Sequence, residues 1–325
     1  MKCFVLSVGL VVMVQSAIGA AAQAEPTFAE RLGWGPTDRV VIFHCDDAGM
    51  SHSSNLGAIE SIEKGVVTSM STMMPCGWVP ELGAYLKEHP EVDNGIHLTL
   101  TAEWKKYRWA PLAGIGVVPG LVDPEGCMWH SVMQVAQHAT PDEFETEIRA
   151  QLSRAESMGI PITHLDTHMG TVYATKEFIE RYIKLGVEKQ IPIMIPGGHL
   201  TYIRKGRGGM ADELKASGII EQVWNAGLPV IDDLAGGIEG PHDDEVENAI
   251  EMLRNLNPGI TQIIVHCTRP SDVFSEISSS GAKRERELKT MTDPRLRQFI
   301  EEEGIILTTW RELKQRRDAV GTAAK

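Results

Sequence analysis

The chain is poor in basic residues relative to acidic ones. Its 325 residues include 31 Lys and Arg against 44 Asp and Glu, which gives a formal net charge of -13. Nucleic acids and anionic membrane surfaces both bind clustered Lys and Arg, so this balance argues against either as a partner. A neutral or cationic ligand, or a metal ion, suits such a protein better.

Cysteine is also scarce, with five residues and no Cys-x-x-Cys pair. The missing pair argues against a structural zinc knuckle and against a thioredoxin-like redox site. Outside the N-terminal segment the cysteines are Cys45, Cys76, Cys127 and Cys267. An even number in an exported protein permits disulfide bonds, but a chain of this length buries a core without them. Their disulfide state therefore stays open.

Long hydrophobic runs are missing except at the N terminus. Residues 1–24 contain one Lys, an apolar run over Phe4–Ile18 and the small-residue ending Ala22-Gln23-Ala24. This layout is typical of a secretory signal peptide cleaved before Glu25, and it predicts export to the periplasm or the extracellular space. The alternative is an N-terminal membrane anchor, which the polar residues inside the run disfavour. No later stretch is long and apolar enough to span a bilayer.

Residues 25–325 are long enough for one α/β barrel or for two smaller domains. Apolar segments rich in β-branched residues alternate with segments of helical periodicity, which predicts a parallel sheet. The eight strand candidates are Arg39–Cys45, Val66–Met74, Asn94–Thr101, Ile162–Thr167, Ile191–Ile195, Pro229–Ile231, Thr261–His266 and Ile305–Thr309. Eight such strands favour closure into a (β/α) barrel that forms a single domain.

Helix starts are visible between the strand candidates. Thr140-Pro141-Asp142-Glu143 combines an N-cap residue, a Pro at the first helical position and acids in the first turn. Similar patterns predict helices over Lys176–Val187 and Pro241–Leu256. The segments Lys105–His138 and Gly197–Leu214 are Gly-rich and break the regular spacing, so we expect them to be loops over a site.

Four polar clusters lie at the carboxyl ends of strand candidates, where the active sites of α/β folds gather. They are His44–Gly49, Gly95–Thr101, Thr163–His168 and His266–Pro270. In the first cluster, the adjacent carboxylates of Asp46 and Asp47 repel each other unless a cation or a shared proton neutralises them. Taken alone, Asp-Asp-x-Gly is equally well explained as a turn with a helix cap.

The second and third clusters place imidazoles on one face of a strand. Alternation groups His164, Asp166 and His168 together, a costly set to bury without a ligand. Taken alone, a histidine placed like His97 is more often a hydrogen-bonded core residue than a ligand. Taken alone, His266 is as well explained as a strand-end residue without a function. Together, carboxylates and imidazoles from three strand ends are the donor set of a catalytic divalent ion with open positions. A further carboxylate and imidazole would supply the base and acid of amide or ester hydrolysis.

The order of these motifs resembles the YdjC-like carbohydrate deacetylases, relatives of the polysaccharide deacetylases. The motifs are Asp-Asp-x-Gly at 46–49, Gly-x-His-Leu-Thr-Leu-Thr at 95–101, Thr-His-Leu-Asp-Thr-His at 163–168 and the strand-end His266. The match runs from about Val40 to Leu313. It implies an irregular TIM-like (β/α) barrel of the glycoside hydrolase and deacetylase type. It also implies an activity that removes an acetyl group, most simply N-acetyl, from an acetylated carbohydrate with one divalent metal ion.

Carried over by position, the resemblance implies roles for five residues. Asp47, His97 and His168 would hold the metal. Asp46 would act as the general base, and His266 would be the acid that protonates the leaving amine. The sequence leaves open which of the two carboxylates binds the metal, because strand ends bend. The donors suit Zn²⁺ or Mg²⁺, and also Mn²⁺ or Co²⁺ with water filling the coordination sphere.

Four more residues are weaker candidates for orienting roles or substrate contacts: Asp166, His164, Trp109 and Arg269. Asp166 lies two residues before His168 and would orient a ligand or the base. Trp109 belongs to an aromatic stretch that could stack on sugar rings, although loop aromatics are more often packed cover; its members are Trp104, Tyr107, Trp109 and Trp129.

Two departures from the family pattern concern substrate contacts more than the metal set. Met169-Gly170-Thr171 follows the second metal histidine, where many members have further histidines. Cys267-Thr268-Arg269 separates the strand-end histidine from Pro270.

Two other functions stay open at this point. The first is metal-dependent hydrolysis of another glycan bond, since a barrel does not fix the reaction class. The second is a catalytically silent carbohydrate-binding barrel, against which Asp46 and His266 argue because binding needs neither a base nor an acid. The glycan, the acetyl linkage and the oligomeric state are likewise open.

Overall fold

The computed structural model describes residues 25–323. The predicted signal peptide lies outside this range and stays a prediction. Within the range, every helix is too short or too polar to cross a membrane. The four cysteines of the described chain are free thiols, three of them buried and Cys127 half-buried.

Seven strands form one parallel sheet. They are β1 (Arg39–Ala48), β2 (Ser69–Thr72), β3 (Asn94–Leu98), β4 (Leu165–Thr167), β5 (Asp233–Ala235), β6 (Gly259–Val265) and β7 (Ile306–Leu307). The order across the sheet is β4-β3-β2-β1-β6-β5, with β7 beside the start of β1. Every pairing is parallel, so the carboxyl ends of the strands lie at one edge. The predicted α/β class and parallel sheet are confirmed.

Two of the eight predicted strands are reduced to isolated bridges. Leu165 pairs with Ile193, and Pro196 pairs with Ile231. Prolines at 192 and 196 have no N–H to donate, which limits the ladder over this segment. The bridges carry the parallel pairing from β4 toward β5, so the sheet is curled rather than flat.

Helices pack beside the sheet, and most of them connect successive strands. They are α1 (Phe28–Arg31), α2 (His52–Glu63), α3 (Val79–Glu88), α4 (Val132–His138), α5 (Pro141–Met158), α6 (Lys176–Lys189), α7 (Thr201–Ala216), α8 (Ile219–Asn225), α9 (Glu245–Arg254), α10 (Asp272–Ile277), α11 (Gly281–Thr292), α12 (Pro294–Glu302) and α13 (Trp310–Ala323). Thr140 caps α5 as predicted, in a reciprocal box in which Thr140 N donates to Glu143 at 2.8 Å. The helix predicted from Pro241 begins at Glu245, because Asp244 is its N-cap.

The prediction of a loop over Gly197–Leu214 is wrong, since most of this segment belongs to α7. Its glycines lower helix propensity, but tertiary contacts outweigh them. Tyr202 N donates to Asp233 Oδ2 at 2.9 Å, and Ala211 and Leu214 are buried in the packed interior.

The segment predicted as a loop from Lys105 is irregular up to Ser131, apart from a short 3₁₀ turn at Pro119–Leu121, and ends in α4. Trp109 and Met128 of this segment belong to a second hydrophobic cluster that is separate from the main core. Its members are Met50, Met73, Cys76, Ala102, Trp109, Met128 and Phe274. Tyr107 Oη donates to Met50 O at 2.7 Å and ties the segment to the turn after β1. This cover stands over the edge where the polar clusters meet.

Candidate active site

Asp46 and Asp47 lie near the end of β1, and both face the same cluster of side chains. His97 Nε2 lies 3.8 Å from Asp46 Oδ2 and 3.4 Å from Asp47 Oδ1. Neighbouring residues of a regular strand point to opposite faces. Asp47 escapes that constraint because its φ is 63°, in the left-handed region that a non-glycine residue seldom adopts. Such strain costs about 1–3 kcal/mol and concentrates at functional sites.

Three buried donors converge on one point at the end of β1. Asp47 Oδ1 lies 3.4 Å from His97 Nε2 and 3.2 Å from His168 Nδ1. This oxygen has no hydrogen-bond partner among residues 25–323. A buried carboxylate oxygen without a partner is costly, and a cation held together with the two imidazoles would satisfy it. One carboxylate and two imidazoles therefore fit a divalent metal ion.

The far nitrogen of each imidazole is held by a carboxylate. His97 Nδ1 lies 2.9 Å from Asp166 Oδ1. His168 Nε2 lies 3.0 Å from both carboxylate oxygens of Glu103. A carboxylate behind each imidazole is the usual support of a metal-binding histidine, because it fixes both ring orientation and tautomer. Asp166 therefore lies where it can orient the His97 ring, and its orienting role stays a prediction.

Asp166 is itself held by a buried network beneath the cluster. Its Oδ2 accepts from Ser71 Oγ at 2.8 Å and lies 2.8 Å from His44 Nε2. Burial by itself would raise the pKa of Asp166, but His97 and His44 outweigh burial and hold that pKa well below its usual range. The carboxylate is therefore ionised and is a strong acceptor for the His97 ring.

The second oxygen of Asp47 is paired with an arginine. Arg284 Nη2, from α11, lies 2.6 Å from Asp47 Oδ2. Burial acts to raise the pKa of Asp47, but Arg284 and the two imidazoles prevail and keep it well below the ordinary range. Asp47 is thus an ionised carboxylate with one oxygen occupied and the other facing His97 and His168.

Asp46 has a different electrostatic environment. Burial raises its pKa, and the negative charge of Asp166 adds to the effect, while His97 opposes it. Its Oδ1 has no hydrogen-bond partner in the described chain and lies 3.4 Å from His44 Nε2. A buried carboxylate with a raised pKa and a free oxygen is suited to accept a proton.

His266 follows β6, on the side of β1 opposite to β3 and β4. Cys45 and Val265 are paired residues of β1 and β6, so Asp46 and His266 directly follow paired positions. The backbone N of His266 donates to Glu287 Oε2 at 2.7 Å, and its Nδ1 lies 3.6 Å from the same oxygen. Glu287 is buried, whereas the His266 side chain is 26% exposed. The buried Glu287 therefore holds the His266 backbone and lies near its ring, while part of the imidazole is exposed.

His164 does not reach the cluster edge as a substrate-contacting residue would. Its ring is buried, stacks on Trp310 with centroids 5.4 Å apart and meets the His44 ring edge-on at 4.9 Å. Gly95 makes room for it, since a Cβ at residue 95 would lie 2.5 Å from His164 Nε2. The glycine of Gly-x-His is thus required by the packing of His164, whose ring lies beneath the cluster beside His44 and Asp166.

Trp109 and Arg269, the other predicted substrate contacts, both have their side chains engaged within the protein. Trp109 is 6% exposed and packs edge-on to Trp104, so it is cover and not a stacking surface. Trp104 is half-buried, with its ring 6.1 Å from the His168 ring, and is the better-placed aromatic residue. Arg269 Nε binds Glu60 Oε2 at 2.6 Å on the outer side of α2.

Sequence reasoning missed Glu103, Arg284, Glu287 and His44 as parts of the site. His44 had a usable signal, because it lies two residues before Asp46 and shares a strand face with it. The two α11 residues stand in the charged run Lys283–Lys289, which is typical of a solvated helix face, and Glu103 lies in irregular chain. Neither context distinguishes a site residue from surface.

The comparisons agree with this architecture. A family model described as YdjC-like protein matches residues 40–302. A carbohydrate deacetylase of Thermoanaerobacter pseudethanolicus is 30% identical over 278 residues, which cover 85% of this chain and 100% of that protein. A chitooligosaccharide deacetylase of Proteus mirabilis is 27% identical over 282 residues, covering 84% of this chain and 98% of that protein.

Among solved structures, a proposed cellobiose-phosphate cleavage protein of Enterococcus faecalis V583 matches with a TM-score of 0.72 and 22% sequence identity. The match covers 85% of this chain and 99% of that one. At this identity the likeness shows a shared fold.

Proposed function

Because the chain belongs to the YdjC-like protein family, we propose that it is a carbohydrate deacetylase that hydrolyses the amide bond of an acetylated sugar or oligosaccharide. Relatives named carbohydrate deacetylase and chitooligosaccharide deacetylase align with it over almost their whole length. The structural observation that most directly supports the proposal is the convergence of His97 and His168 on Asp47 Oδ1, a buried oxygen without a partner in the described chain.

We propose that Asp47, His97 and His168 hold one divalent ion, with Zn²⁺ and Mg²⁺ both compatible with the donors. When bound, the ion would polarise the acetyl carbonyl and lower the pKa of a coordinated water. Asp47 suits the ligand role better than Asp46, because one Asp47 oxygen faces both imidazoles whereas Asp46 Oδ2 lies 3.8 Å from His97 alone.

Asp46 is proposed as the general base that takes a proton from the attacking water. Its free oxygen and its raised pKa both suit that task. His266, on the side of β1 away from His97 and His168, is proposed as the acid. An acid is needed because an amine anion is a very poor leaving group and must be protonated as the bond breaks. Glu287 would orient the His266 ring for this transfer.

Three further elements of the proposal concern the chain as a whole. Residues 1–24 are proposed to export the protein, and residues 25–325 to form one domain. All seven strands of the described chain belong to one sheet, which supports the single domain. The bridges at Ile193 and Ile231 support closure of the sheet into an irregular barrel between β4 and β5.

The test is acetate release from a panel of N-acetylated and O-acetylated oligosaccharides, with the bound metal identified by elemental analysis. We expect acetate from at least one N-acetylated substrate, loss of activity with a chelator and recovery with the native metal. Reducing-end release without acetate would favour cleavage of another glycan bond. Glycan binding without turnover, equal in wild type and Asp46→Asn, would favour a silent binding protein.

A further inference from the structure

His97 and His168 are supported by carboxylates of different structural origin. Asp166, behind His97, lies in β4, and β3 and β4 pair His97 directly with Asp166. Glu103, behind His168, lies in the irregular chain 101–131, which contains the cover described above and is called the cover segment below. The sheet itself therefore fixes the orientation of one imidazole, whereas the other depends on a segment that must first pack into place.

The contact between Glu103 and His168 is symmetrical and largely screened from solvent. Each carboxylate oxygen lies 3.0 Å from His168 Nε2, and the Glu103 side chain is 18% exposed. The Trp104 ring, 6.1 Å from the His168 ring, covers one side. Exclusion of water strengthens a charge-assisted hydrogen bond of this kind.

The backbone around Glu103 is held on both sides. Ala102 N donates to Trp129 O at 2.8 Å, which joins the two ends of the cover segment. Arg108 Nε donates to Ala102 O at 3.1 Å, and Arg108 Nη1 forms an ion pair with Asp123 Oδ2 at 2.6 Å. The backbone that carries the Glu103 carboxylate is therefore fixed by hydrogen bonds at Ala102.

We propose that Glu103 is a positioning residue that accepts the Nε2 proton of His168 and so keeps the Nδ1 lone pair directed toward Asp47 and the metal. A neutral imidazole protonates only one nitrogen, so a fixed Nε2–H leaves Nδ1 as the metal-binding atom. The cover segment and the metal are then coupled, because ordering the segment completes the site and binding the metal favours the ordered segment. This inference rests on the proposed metal site.

The experiment uses the purified protein stripped of metal and compares wild type, Glu103→Ala, Glu103→Gln and the control Glu177→Gln. Glu177 is exposed on α6, away from the cover segment and from the proposed metal ligands. Zn²⁺ affinity is measured by titration calorimetry. Removing a carboxylate behind a metal-binding histidine weakens metal affinity about 10–100-fold. We expect that loss in Glu103→Ala, a smaller loss in Glu103→Gln, whose amide oxygen still accepts, and none in the control.

A second readout separates positioning from a merely structural role. The ¹⁵N shifts of the His168 ring report which nitrogen carries the proton, and we expect one tautomer in wild type and a mixture in Glu103→Ala. Amide exchange over residues 101–131 should slow on Zn²⁺ addition in wild type but not in this variant. Equal Zn²⁺ affinity and an unchanged tautomer in folded Glu103→Ala would overturn the inference. Wild type that binds no divalent ion would instead overturn the proposed metal site.

Discussion

Arg284 Nη2 lies 2.6 Å from Asp47 Oδ2, and both side chains are almost fully buried. The guanidinium therefore occupies one oxygen of the carboxylate and leaves Oδ1 for His97, His168 and the proposed metal. It also supplies a positive charge beside two neighbouring acids when no metal is bound. Arg284 is thus a permanent counter-ion beside the proposed metal site.

Replacing Arg284 by Met should destabilise the metal-free protein by about 3–5 kcal/mol, because breaking a buried pair leaves the Asp47 charge without its partner. Added metal should restore part of this loss, since the ion supplies the missing positive charge and binds only the folded state. The measurement is denaturant unfolding of wild type and variant with and without Zn²⁺.

Arg286→Met is the matched control for that substitution. Arg286 lies on the same helix, is exposed and binds Glu245 on the surface, so its loss should change the stability little. If Zn²⁺ stabilised Arg284→Met no more than wild type, the counter-ion role of Arg284 would be contradicted.

Loss of a proposed metal ligand and loss of the proposed base should differ in their effects on metal binding and on rate. His97→Ala and His168→Ala are expected to abolish metal binding, since each removes one of three protein donors. Asp46→Asn should keep the metal and lower kcat about 10²–10⁴-fold, the usual contribution of a general base. Elemental analysis and steady-state kinetics on the same preparations check both effects. A metal-free Asp46→Asn protein would reverse the assignment of Asp46 and Asp47.

The proposed acid should matter only where the leaving group needs a proton. His266→Ala is expected to slow deacetylation of an N-acetyl sugar about 10²–10⁴-fold. It should slow hydrolysis of an aryl acetate much less, because a phenolate leaves without protonation. Glu287→Gln should show the same preference in weaker form. Equal rate losses on amide and aryl ester would indicate that His266 acts in some way other than as the acid.

Glu147 should make stability depend on pH. Its carboxylate accepts from Leu112 N and Ala113 N at 3.1 and 2.9 Å and holds the cover segment on α5. Burial raises its pKa from 4.5 to about 7 despite these hydrogen bonds. The folded state therefore binds this proton more tightly than the unfolded state, and its stabilising effect is lost as pH rises from about 4.5 to about 7.

Glu147→Gln removes this titration. As pH rises from 5 to 8 the wild type should therefore lose stability relative to the variant. The shift is on the order of 3 kcal/mol. Urea unfolding of both proteins at the two pH values gives the difference directly, and any constant cost of the amide cancels. A difference that stays the same at both pH values would show that the Glu147 pKa is not raised.

Gly95→Ala should destabilise the protein by overpacking, although β3 is extended and tolerates alanine there. A Cβ would lie 2.5 Å from the His164 ring, which costs about 1–3 kcal/mol or more in a packed interior. Gly116→Ala is the control, since a Cβ at that position meets nothing within 4 Å. Thermal unfolding of the single and double variants with His164→Ala should show that removing the ring relieves the cost of Gly95→Ala. Additive effects would place the clash elsewhere.

Strand positions were the most predictable part of the fold, and the short Pro-containing segments were the least. A run such as Val40–Phe43 has one good solution, burial in a parallel sheet. Ile191–Ile195 has the same apolar character, but its flanking prolines reduce it to a bridge. The helix over Thr201–Ala216 was missed because Gly-rich sequence has little helical preference of its own, and contacts with β5 supply the stabilisation.

The sequence by itself determined which motifs meet. Parallel strands end at a common edge, so recognising the strands places Asp46, His97, His168 and His266 at that edge. Only the tertiary structure decided how each motif is used. It turned Asp47 onto the same side as Asp46, buried Trp109, and brought Glu103, Arg284 and Glu287 to the site from a loop and a helix. Those three positions depend on packing between segments far apart in the chain, and the local sequence around each residue does not predict that packing.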